Sequence, residues 1–92
     1  MINKSQKTVI ITGGAGRVGL ALTKDLIKKG HQVLIGDINK THLIKIKKKI
    51  NSNNLIIFSG NLTNKKNINK FIEFGLKKFT KIDVAVHCAY PK

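Results

Sequence analysis

The sequence Thr12-Gly13-Gly14-Ala15-Gly16-Arg17-Val18-Gly19 follows directly on an apolar run, Thr8-Val9-Ile10-Ile11. An apolar run of this length predicts a buried strand, and the apolar residues after Gly16 recur at helical spacing. The glycines therefore predict a loop that leads from a strand into a helix. Gly13 can make the tight turn, Gly16 can let the main chain approach a pyrophosphate, and Gly19 can let the helix pack close to the sheet. The stretch therefore predicts a phosphate-binding loop whose free N–H groups face the ligand.

A second apolar run, Gln32-Val33-Leu34-Ile35-Gly36, ends at Asp37. In a dinucleotide-binding fold, an acid at this point accepts hydrogen bonds from ribose hydroxyls. Glycine triplets are common in loops, so the triplet alone is a weak signal. The motif is informative because strand, glycine loop, helix, strand and terminal acid occur in this order. Together these features predict dinucleotide binding.

The chain has 92 residues, of which 41% are hydrophobic and 5% aromatic, and it contains no tryptophan. This length suits one small domain, which we expect to span residues 1–92 with a core of Ile, Leu and Val. The apolar content is too high for a disordered chain. The single cysteine, Cys88, allows no internal disulfide, and the polar start and short apolar runs predict a cytoplasmic protein without a membrane span.

The formal net charge of +14 invites a nucleic-acid hypothesis, since clustered cations supply most of the non-specific affinity for phosphate backbones. Seventeen of the eighteen basic residues are lysine, however, and only Arg17 is arginine, the residue that base recognition favours. The chain is also rich in Ile and Asn, which together with Lys indicates a compositional bias of the source genome. We predict no specific nucleic-acid partner and no membrane partner, and keep polyanion binding through the second helix and Lys65-Lys66 as an alternative.

Four short apolar runs predict strands, and three stretches with helical spacing lie between them. We place the strands at residues 7–12, 32–37, 55–59 and 84–88, and the first two helices at residues 17–29 and 41–50. The third helix is predicted to follow Thr63 or Asn64 as its N-cap, and Gly30 is predicted to cap the end of the first.

Each helix carries an apolar stripe that we expect to lie in the core. The stripes are Val18, Leu22 and Leu26 on the first helix, Leu43, Ile46 and Ile50 on the second, and Ile68, Phe71, Ile72, Leu76 and Phe79 on the third. The lysines of the second helix lie on its other side, and we interpret them as a solvated face. Strands alternating with helices predict an α/β, Rossmann-like, three-layer fold with a parallel sheet in the order three-two-one-four and the phosphate loop at the switch point.

These residues resemble the short-chain dehydrogenase/reductase family over nearly the whole chain, from Lys7 to Tyr90. The glycine loop is similar to the Thr-Gly-x-x-Gly-x-x-Gly form of the extended branch, because Arg17 stands where the classical branch has its middle glycine. The resemblance implies the N-terminal, cofactor-binding portion of an NAD(P)-dependent oxidoreductase, with the fold incomplete. It also implies that the catalytic Tyr-x-x-x-Lys lies beyond Lys92, so we predict no catalytic residue in this sequence.

The resemblance further implies which residues meet the cofactor. The acid at Asp37 implies NAD in preference to NADP, although Arg17 or Lys40 could accommodate a 2′-phosphate. Asn61-Leu62 stands where the family has an Asp-Leu pair at the adenine, and His87-Cys88-Ala89-Tyr90 stands where it has Asn-Asn-Ala-Gly or His-Leu-Ala-Ala. The candidate cofactor-binding residues are Gly13, Ala15, Gly16, Arg17, Val18, Gly19, Asp37, Asn61, Leu62, His87 and Ala89. No metal-binding residue is predicted.

Two functions from different classes stay open. One is the cofactor portion of an oxidoreductase, in which His87 lines a pocket and Cys88 is a small buried hydrophobe. The other is a non-catalytic nucleotide-binding module that docks on a partner. The strand that begins at Val84 is expected to have a free edge, which favours self-association or a partner.

Overall fold

The computed structural model describes residues 6–13 and 15–88, which form an alternating series of four strands and three helices. In chain order they are β1 (Thr8–Thr12), α1 (Arg17–Lys28), β2 (Gln32–Asp37), α2 (Lys40–Ile50), β3 (Leu55–Ser59), α3 (Lys65–Phe79) and β4 (Val84–His87). The predicted elements are confirmed, and no predicted boundary is shifted by more than one residue.

All four strands are parallel and form one sheet in the predicted order, β3-β2-β1-β4. The register places Thr12, at the carboxyl end of β1, opposite Gly36 of β2 on one side and His87 of β4 on the other. The chain builds outward from β1 to β3 and then returns to the other side of β1. The segments that follow β1 and β4 therefore lie at the topological switch point, where open α/β sheets bind ligands.

The sheet separates two apolar layers, because successive side chains of a strand point to opposite faces. On one face α1 and α2 pack over the strands; the buried strand residues of this layer are Val9, Ile11, Val33, Ile35 and Leu55. On the other face α3 packs over Ile10 and Leu34 through Phe71 and Phe79. This helix-sheet-helix arrangement confirms the predicted Rossmann-like α/β fold.

The helix ends differ in how their backbone groups are satisfied. The side chain of Asn39 caps α2, and that of Asn64 caps α3 by accepting the N–H of Lys66 at 2.8 Å. At the other end of α1, Gly30 adopts a φ of +89°, which confirms it as part of the helix stop. By contrast, the N-cap residue of α1 is Gly16, and no side chain of the described residues caps this helix start. Its first N–H groups therefore face the glycine loop region.

The apolar stripe predicted for α3 is only partly correct. Phe71 and Phe79 are buried, but Ile72 and Leu76 are 37% and 44% exposed. The line that faces the sheet runs through Gly75, where a Cβ would lie 3.0 Å from a β2 side chain. Because Gly75 brings the helix close to the sheet, the two phenylalanines fill the contact and the two aliphatic residues are turned away from it.

On α1 the prediction is wrong at Val18, which is 62% exposed. Leu22 and Leu26 are half-buried against the first layer, as expected. The helix approaches the sheet through Gly19 and Thr23, one position further along, and both are buried. Val18 is consequently turned towards the space beside the glycine loop.

Asp83 joins the starts of β1 and β4 at the amino edge of the sheet. Its Oδ2 accepts the backbone N–H of Thr8 at 2.8 Å and forms an ion pair with Nζ of Lys81 at 3.1 Å. The Thr8 N–H, and after it the Lys81 side chain, lower the pKa of the Asp83 carboxyl below its ordinary value. The Asp83 carboxylate thus links β1 and β4 at the amino edge of the sheet, opposite to the carboxyl edge where the glycine loop lies.

Candidate cofactor-binding site

The chain turns sharply at Gly13, directly after β1. Its φ is +70°, and its N–H donates to the carbonyl of Gly36 at 2.8 Å, so the turn stays bound to β2. A Cβ at Gly13 would lie 2.5 Å from the carbonyl oxygen of Cys88. Conformation and close approach both require glycine here.

A side-chain contact joins the ends of β1 and β4 beside this turn. Oγ1 of Thr12 and Nδ1 of His87 are 2.5 Å apart, and the N–H of Cys88 donates to the Thr12 carbonyl at 2.8 Å. His87 is exposed at the carboxyl edge. Thr12 could not be predicted as the partner of His87 from the sequence, because the pair arises from the register of two strands that are distant in the chain.

The carboxylate of Asp37 is turned towards the glycine loop. Its Oδ2 accepts the N–H of Ala15 at 3.1 Å, and its Oδ1 accepts the N–H of Asn39 at 3.0 Å. A carboxylate offers about four acceptor sites, so both oxygens keep capacity for further donors. The half-buried acid therefore organises the loop and presents acceptors beside it.

The turn after β3 is organised by Asn61. Its Oδ1 accepts both the N–H and the hydroxyl of Thr63, at 3.1 and 2.6 Å, and its carbonyl accepts Nδ2 of Asn67 at 3.0 Å. Leu62 packs closely over Gly36, where a Cβ would lie 2.7 Å from Leu62 Cδ1. The oxygen of Asn61 is thus engaged within its own turn, and this segment contributes shape to the site more than charge.

Three cavities adjoin one another at Gly13. One of about 320 Å³ lies beside the start of α1, one of about 260 Å³ lies between Asp37 and the turn after β3, and a wider one of about 930 Å³ opens between Arg17 and Asp37. The predicted residues that line at least one of them are Gly13, Ala15, Gly16, Arg17, Val18, Gly19, Asp37, Asn61, Leu62 and His87. Ala89, the remaining predicted residue, lies outside the described residues, as does Gly14 of the loop.

Sequence reasoning missed several residues that line these cavities. Ile38 directly follows Asp37 and is exposed, and His42 lies in the first turn of α2 on the same wide cavity as Arg17. Ile38 carried only a weak signal, since single apolar residues are common on protein surfaces. His42 carried no comparable signal, because its place depends on where α2 lies.

Within residues 6–13 and 15–88, no group of three or more His, Cys, Asp or Glu side chains is placed to hold a metal ion. In the same part of the chain, no helix combines the length and the apolar composition needed to cross a membrane.

Comparison with known proteins gives one consistent family. The family described as short chain dehydrogenase matches residues 7–90. Post-translational flagellin modification protein A of Campylobacter coli is 30% identical over 92% of this chain and 34% of its own length. The structure of an apo SCOR enzyme from Clostridium thermocellum is similar with a TM-score of 0.85 at 29% identity, over 92% of this chain and 34% of that one. A 3-ketoacyl-(acyl-carrier-protein) reductase from Brucella melitensis, complexed with NADH, shares the fold with a TM-score of 0.81 at 24% identity, over 86% and 32% of the two chains.

The parallel sheet with a glycine loop at its switch point defines a Rossmann-type fold of the dinucleotide-binding class. The chain belongs to the short-chain dehydrogenase family, since the family match covers nearly all of it. It spans about a third of the length of the relatives that it matches.

Proposed function

We propose that residues 1–92 form one domain that holds the cofactor of an NAD(P)-dependent oxidoreductase. The observation that carries this proposal is the hydrogen bond from Ala15 to Asp37, because the acid that would bind the ribose then lies directly beside the loop that would bind the diphosphate. The NADH complex of the Brucella reductase, a protein of the same fold, supports the choice of ligand.

The glycine loop and the start of α1 would bind the diphosphate. The first turn of α1 contains no acidic residue and begins with Arg17, so its N–H groups and the guanidinium both favour an anion. At Gly13 the main chain passes close under the Cys88 carbonyl with no side chain in the way. The cavity beside the helix start, lined in part by Val18, adjoins this anion site.

Asp37 supports NAD in preference to NADP. Its two oxygens can accept bonds from the ribose hydroxyls, and its charge would repel a 2′-phosphate. Arg17 and Lys40 are the cations that oppose this preference, and both are exposed. We give more weight to Asp37, because two hydrogen bonds hold its carboxylate in place beside the loop.

A bound nicotinamide would supply hydride transfer, and the residues described here would hold it in position. The sequence contains one tyrosine, Tyr90, and no Tyr-x-x-x-Lys. We therefore propose that substrate binding and proton transfer belong to segments outside residues 1–92. This division agrees with the share of its relatives that the chain spans.

Calorimetric titration of the purified 92-residue chain with NADH and NADPH tests this proposal. We expect saturable binding of NADH, weaker binding of NADPH, and competition between NADH and NAD. The proposal fails if NADH produces no saturable heat up to millimolar concentration.

A non-catalytic module that binds a dinucleotide and docks on a partner is the second candidate. It is favoured by β4, an edge strand of the described sheet on which Val84 and Ala85 are exposed. Ile72 and Leu76 of α3 add exposed apolar surface. Unpaired strand edges and apolar patches favour association. Sedimentation velocity over a range of concentrations tests this candidate, and a monomer at every concentration would count against it.

We also propose a cytoplasmic location. The cysteine content supports this proposal, because disulfides are typical of secreted proteins and the one cysteine, Cys88, permits no disulfide within the chain. Fractionation of cells that express the protein, followed by immunodetection, tests the location, and recovery outside the cytoplasmic fraction would contradict it.

A further inference from the structure

We propose that the hydroxyl of Thr12 fixes one tautomer of His87, in which Nε2 carries the proton and donates a hydrogen bond to an oxygen in the sugar–diphosphate part of the bound dinucleotide. This inference rests on the proposed cofactor function and deepens it. Thr12 is then a positioning residue, and His87 is the donor that meets the ligand.

The register of the sheet brings the two side chains together. Thr12 at the end of β1 is the partner of His87 at the end of β4, and the two strands are parallel. Paired residues of neighbouring strands project their side chains from the same face of a sheet. The contact between Thr12 and His87 is therefore built into the pairing of the two strands.

The direction of this hydrogen bond decides which nitrogen of His87 carries the proton. Oγ1 of Thr12 lies 2.5 Å from Nδ1 of His87 and 3.5 Å from the carbonyl oxygen of Val86. A hydroxyl has one proton to donate, and the carbonyl at 3.5 Å is a poor acceptor beside a ring nitrogen at 2.5 Å. The hydroxyl thus donates to Nδ1, and the proton of the neutral ring lies on Nε2.

Backbone hydrogen bonds on both sides of Thr12 keep its hydroxyl in place. The carbonyl of Thr12 accepts the N–H of Cys88 at 2.8 Å, and the N–H of Gly13 donates to the Gly36 carbonyl at 2.8 Å. Thr12 is half-buried, whereas His87 is exposed. The hydroxyl therefore has a fixed place from which it orients a ring that a ligand can reach.

His87 lies where a ligand would pass from one cavity to the next. The cavity of about 320 Å³ beside the start of α1 and the cavity of about 260 Å³ beside Asp37 share Gly13 and His87 in their lining. Gly13 has no side chain, so among the described residues the imidazole is the one side chain that borders both cavities. A dinucleotide that occupied both would bring its sugar–diphosphate part past this ring.

The chemistry of the Nε2–H group matches that part of the ligand. Sugar hydroxyls and diphosphate oxygens accept hydrogen bonds, whereas the opposite tautomer of His87 would present a lone pair and repel a phosphate oxygen. The same tautomer leaves His87 no free lone pair with which to act as a base, because Nδ1 accepts the Thr12 hydroxyl. The arrangement therefore favours ligand binding over proton abstraction.

Long-range ¹H–¹⁵N NMR of the ¹⁵N-labelled chain measures the tautomer before any ligand is added, at a pH above the titration range of histidine. We expect a proton on Nε2 of His87 and none on Nδ1. His31 is the internal reference for this state, because its Nδ1 accepts the N–H of Lys7 at 2.9 Å. In Thr12→Val the His87 signals should become those of two exchanging tautomers, and in Thr12→Ser they should keep the original pattern. A proton on Nδ1 of His87 in the unmodified chain would overturn the proposal.

Calorimetric titration with NADH and with ADP-ribose tests the contact with the ligand. His87→Leu removes the donor and should weaken both ligands roughly tenfold, as expected for a lost hydrogen bond to a charged group. Thr12→Val removes the hydroxyl and should weaken both by roughly three- to tenfold. Thr12→Ser and His87→Gln, which keep the hydroxyl and a donor, should restore most of the lost affinity.

Thr41→Val is the matched control, because Thr41 is an exposed threonine of α2 outside the lining of the two cavities. It should bind both ligands as the unmodified chain does, and circular dichroism would verify that every variant keeps the fold.

The outcomes separate this inference from the cofactor function. If the unmodified chain binds NADH and His87→Leu binds it equally well, the inference is overturned and the cofactor function stands. A loss for NADH without a loss for ADP-ribose would also overturn it, because the acceptor would then lie on the nicotinamide. Equal losses in Thr12→Val and Thr12→Ser would refute the positioning role of the hydroxyl. No binding of either ligand by the unmodified chain would overturn the cofactor function and the donor role of His87 together.

Discussion

At Asp37 one carboxylate contacts two segments of the site, since it accepts the N–H of Ala15 in the loop and the N–H of Asn39 at the start of α2. The glycine loop is therefore held in place by the acid that is proposed to bind the ribose. A substitution at Asp37 would act on the ligand and on the loop together, and a useful test has to separate the two effects.

Asp37→Asn should weaken NAD binding by roughly tenfold or more, because a hydrogen bond to a charged group contributes about 1.5–3 kcal/mol. NADP binding should weaken less, since the substitution also removes the charge that opposes a 2′-phosphate. The ratio of the two dissociation constants, measured by calorimetry, separates specificity from loosening of the loop. Asp25→Asn, at an exposed position of α1, is the control and should keep the ratio unchanged. An unaltered NAD affinity in Asp37→Asn would contradict the assignment.

Gly13→Ala should destabilise the fold by roughly 2 kcal/mol or more, since an alanine at positive φ is strained and its Cβ would collide with the Cys88 carbonyl. Gly60→Ala is the matched control, because a Cβ there would meet only the Phe58 ring, at 3.2 Å. Urea unfolding measures both free energies. Equal losses of unfolding free energy in the two variants would contradict this account, because they would show that the close approach of Gly13 to the Cys88 carbonyl does not require glycine.

At the residue scale, the sequence predicted the positions that form a motif but not the contacts that depend on strand register. The glycines and Asp37 could be located because strand, loop, helix and acid follow one another in the chain. The contact of Thr12 with His87 could not, because it joins strands whose pairing is set by the whole sheet. Asn61 was predicted as an adenine-binding side chain, and only the structure shows its oxygen engaged with Thr63.

At the scale of elements, α2 and α3 both end in a left-handed residue, Asn51 with a φ of 48° and Thr80 with a φ of 67°. Asparagine tolerates this conformation, whereas a β-branched residue is strained in it. Thr80→Gly should therefore stabilise the protein by about 0.5–1 kcal/mol, after allowing for the greater freedom of glycine in the unfolded chain. Asn51→Gly should increase the stability of the protein by a smaller amount. Thermal unfolding compares the two variants, and a larger gain at Asn51 would contradict this account of the helix ends.

The contact between β1 and β4 should depend on pH through Asp83. The folded carboxyl has a lowered pKa, chiefly because it accepts the Thr8 N–H, so its stabilisation is fully present above the unfolded value near 4 and is lost as the pH falls through the folded value. Asp83→Asn should lower the urea midpoint at neutral pH, and the midpoints of variant and wild type should converge in acid. A gap between the two midpoints that stays constant with pH would show that the charge of Asp83 does not contribute.

The helices and strands themselves were predictable because apolar runs and helical spacing are local signals. The side of α3 that faces the sheet could not be predicted, because Gly75 has no apolar side chain to mark it. Gly75 is nevertheless the position at which α3 lies close to the sheet. The same reason applies to Val18, because Gly19 and Thr23 bring α1 down onto the sheet.

On the scale of the whole molecule, the two faces of the sheet are covered unequally. One face carries α1 and α2, whereas the other carries α3 and leaves a cavity of about 230 Å³ between α3 and β4, lined in part by Ile72 and Ala85. The chain spans about a third of the length of its relatives, which agrees with an incomplete cover on this side. Self-association through β4 stays a prediction, to be decided by the sedimentation experiment.

Chemical-shift mapping of the ¹⁵N-labelled chain during titration with NADH tests cofactor binding most directly. We predict saturable shifts that are largest at Gly13, Ala15, Gly16 and Asp37, with little change at Asp83 on the opposite edge of the sheet. Shifts confined to exposed lysines away from the loop, such as Lys24 and Lys49, would mean that NADH binds only as an anion on the surface. That result, or the absence of any saturable shift, would contradict a cofactor site at the glycine loop.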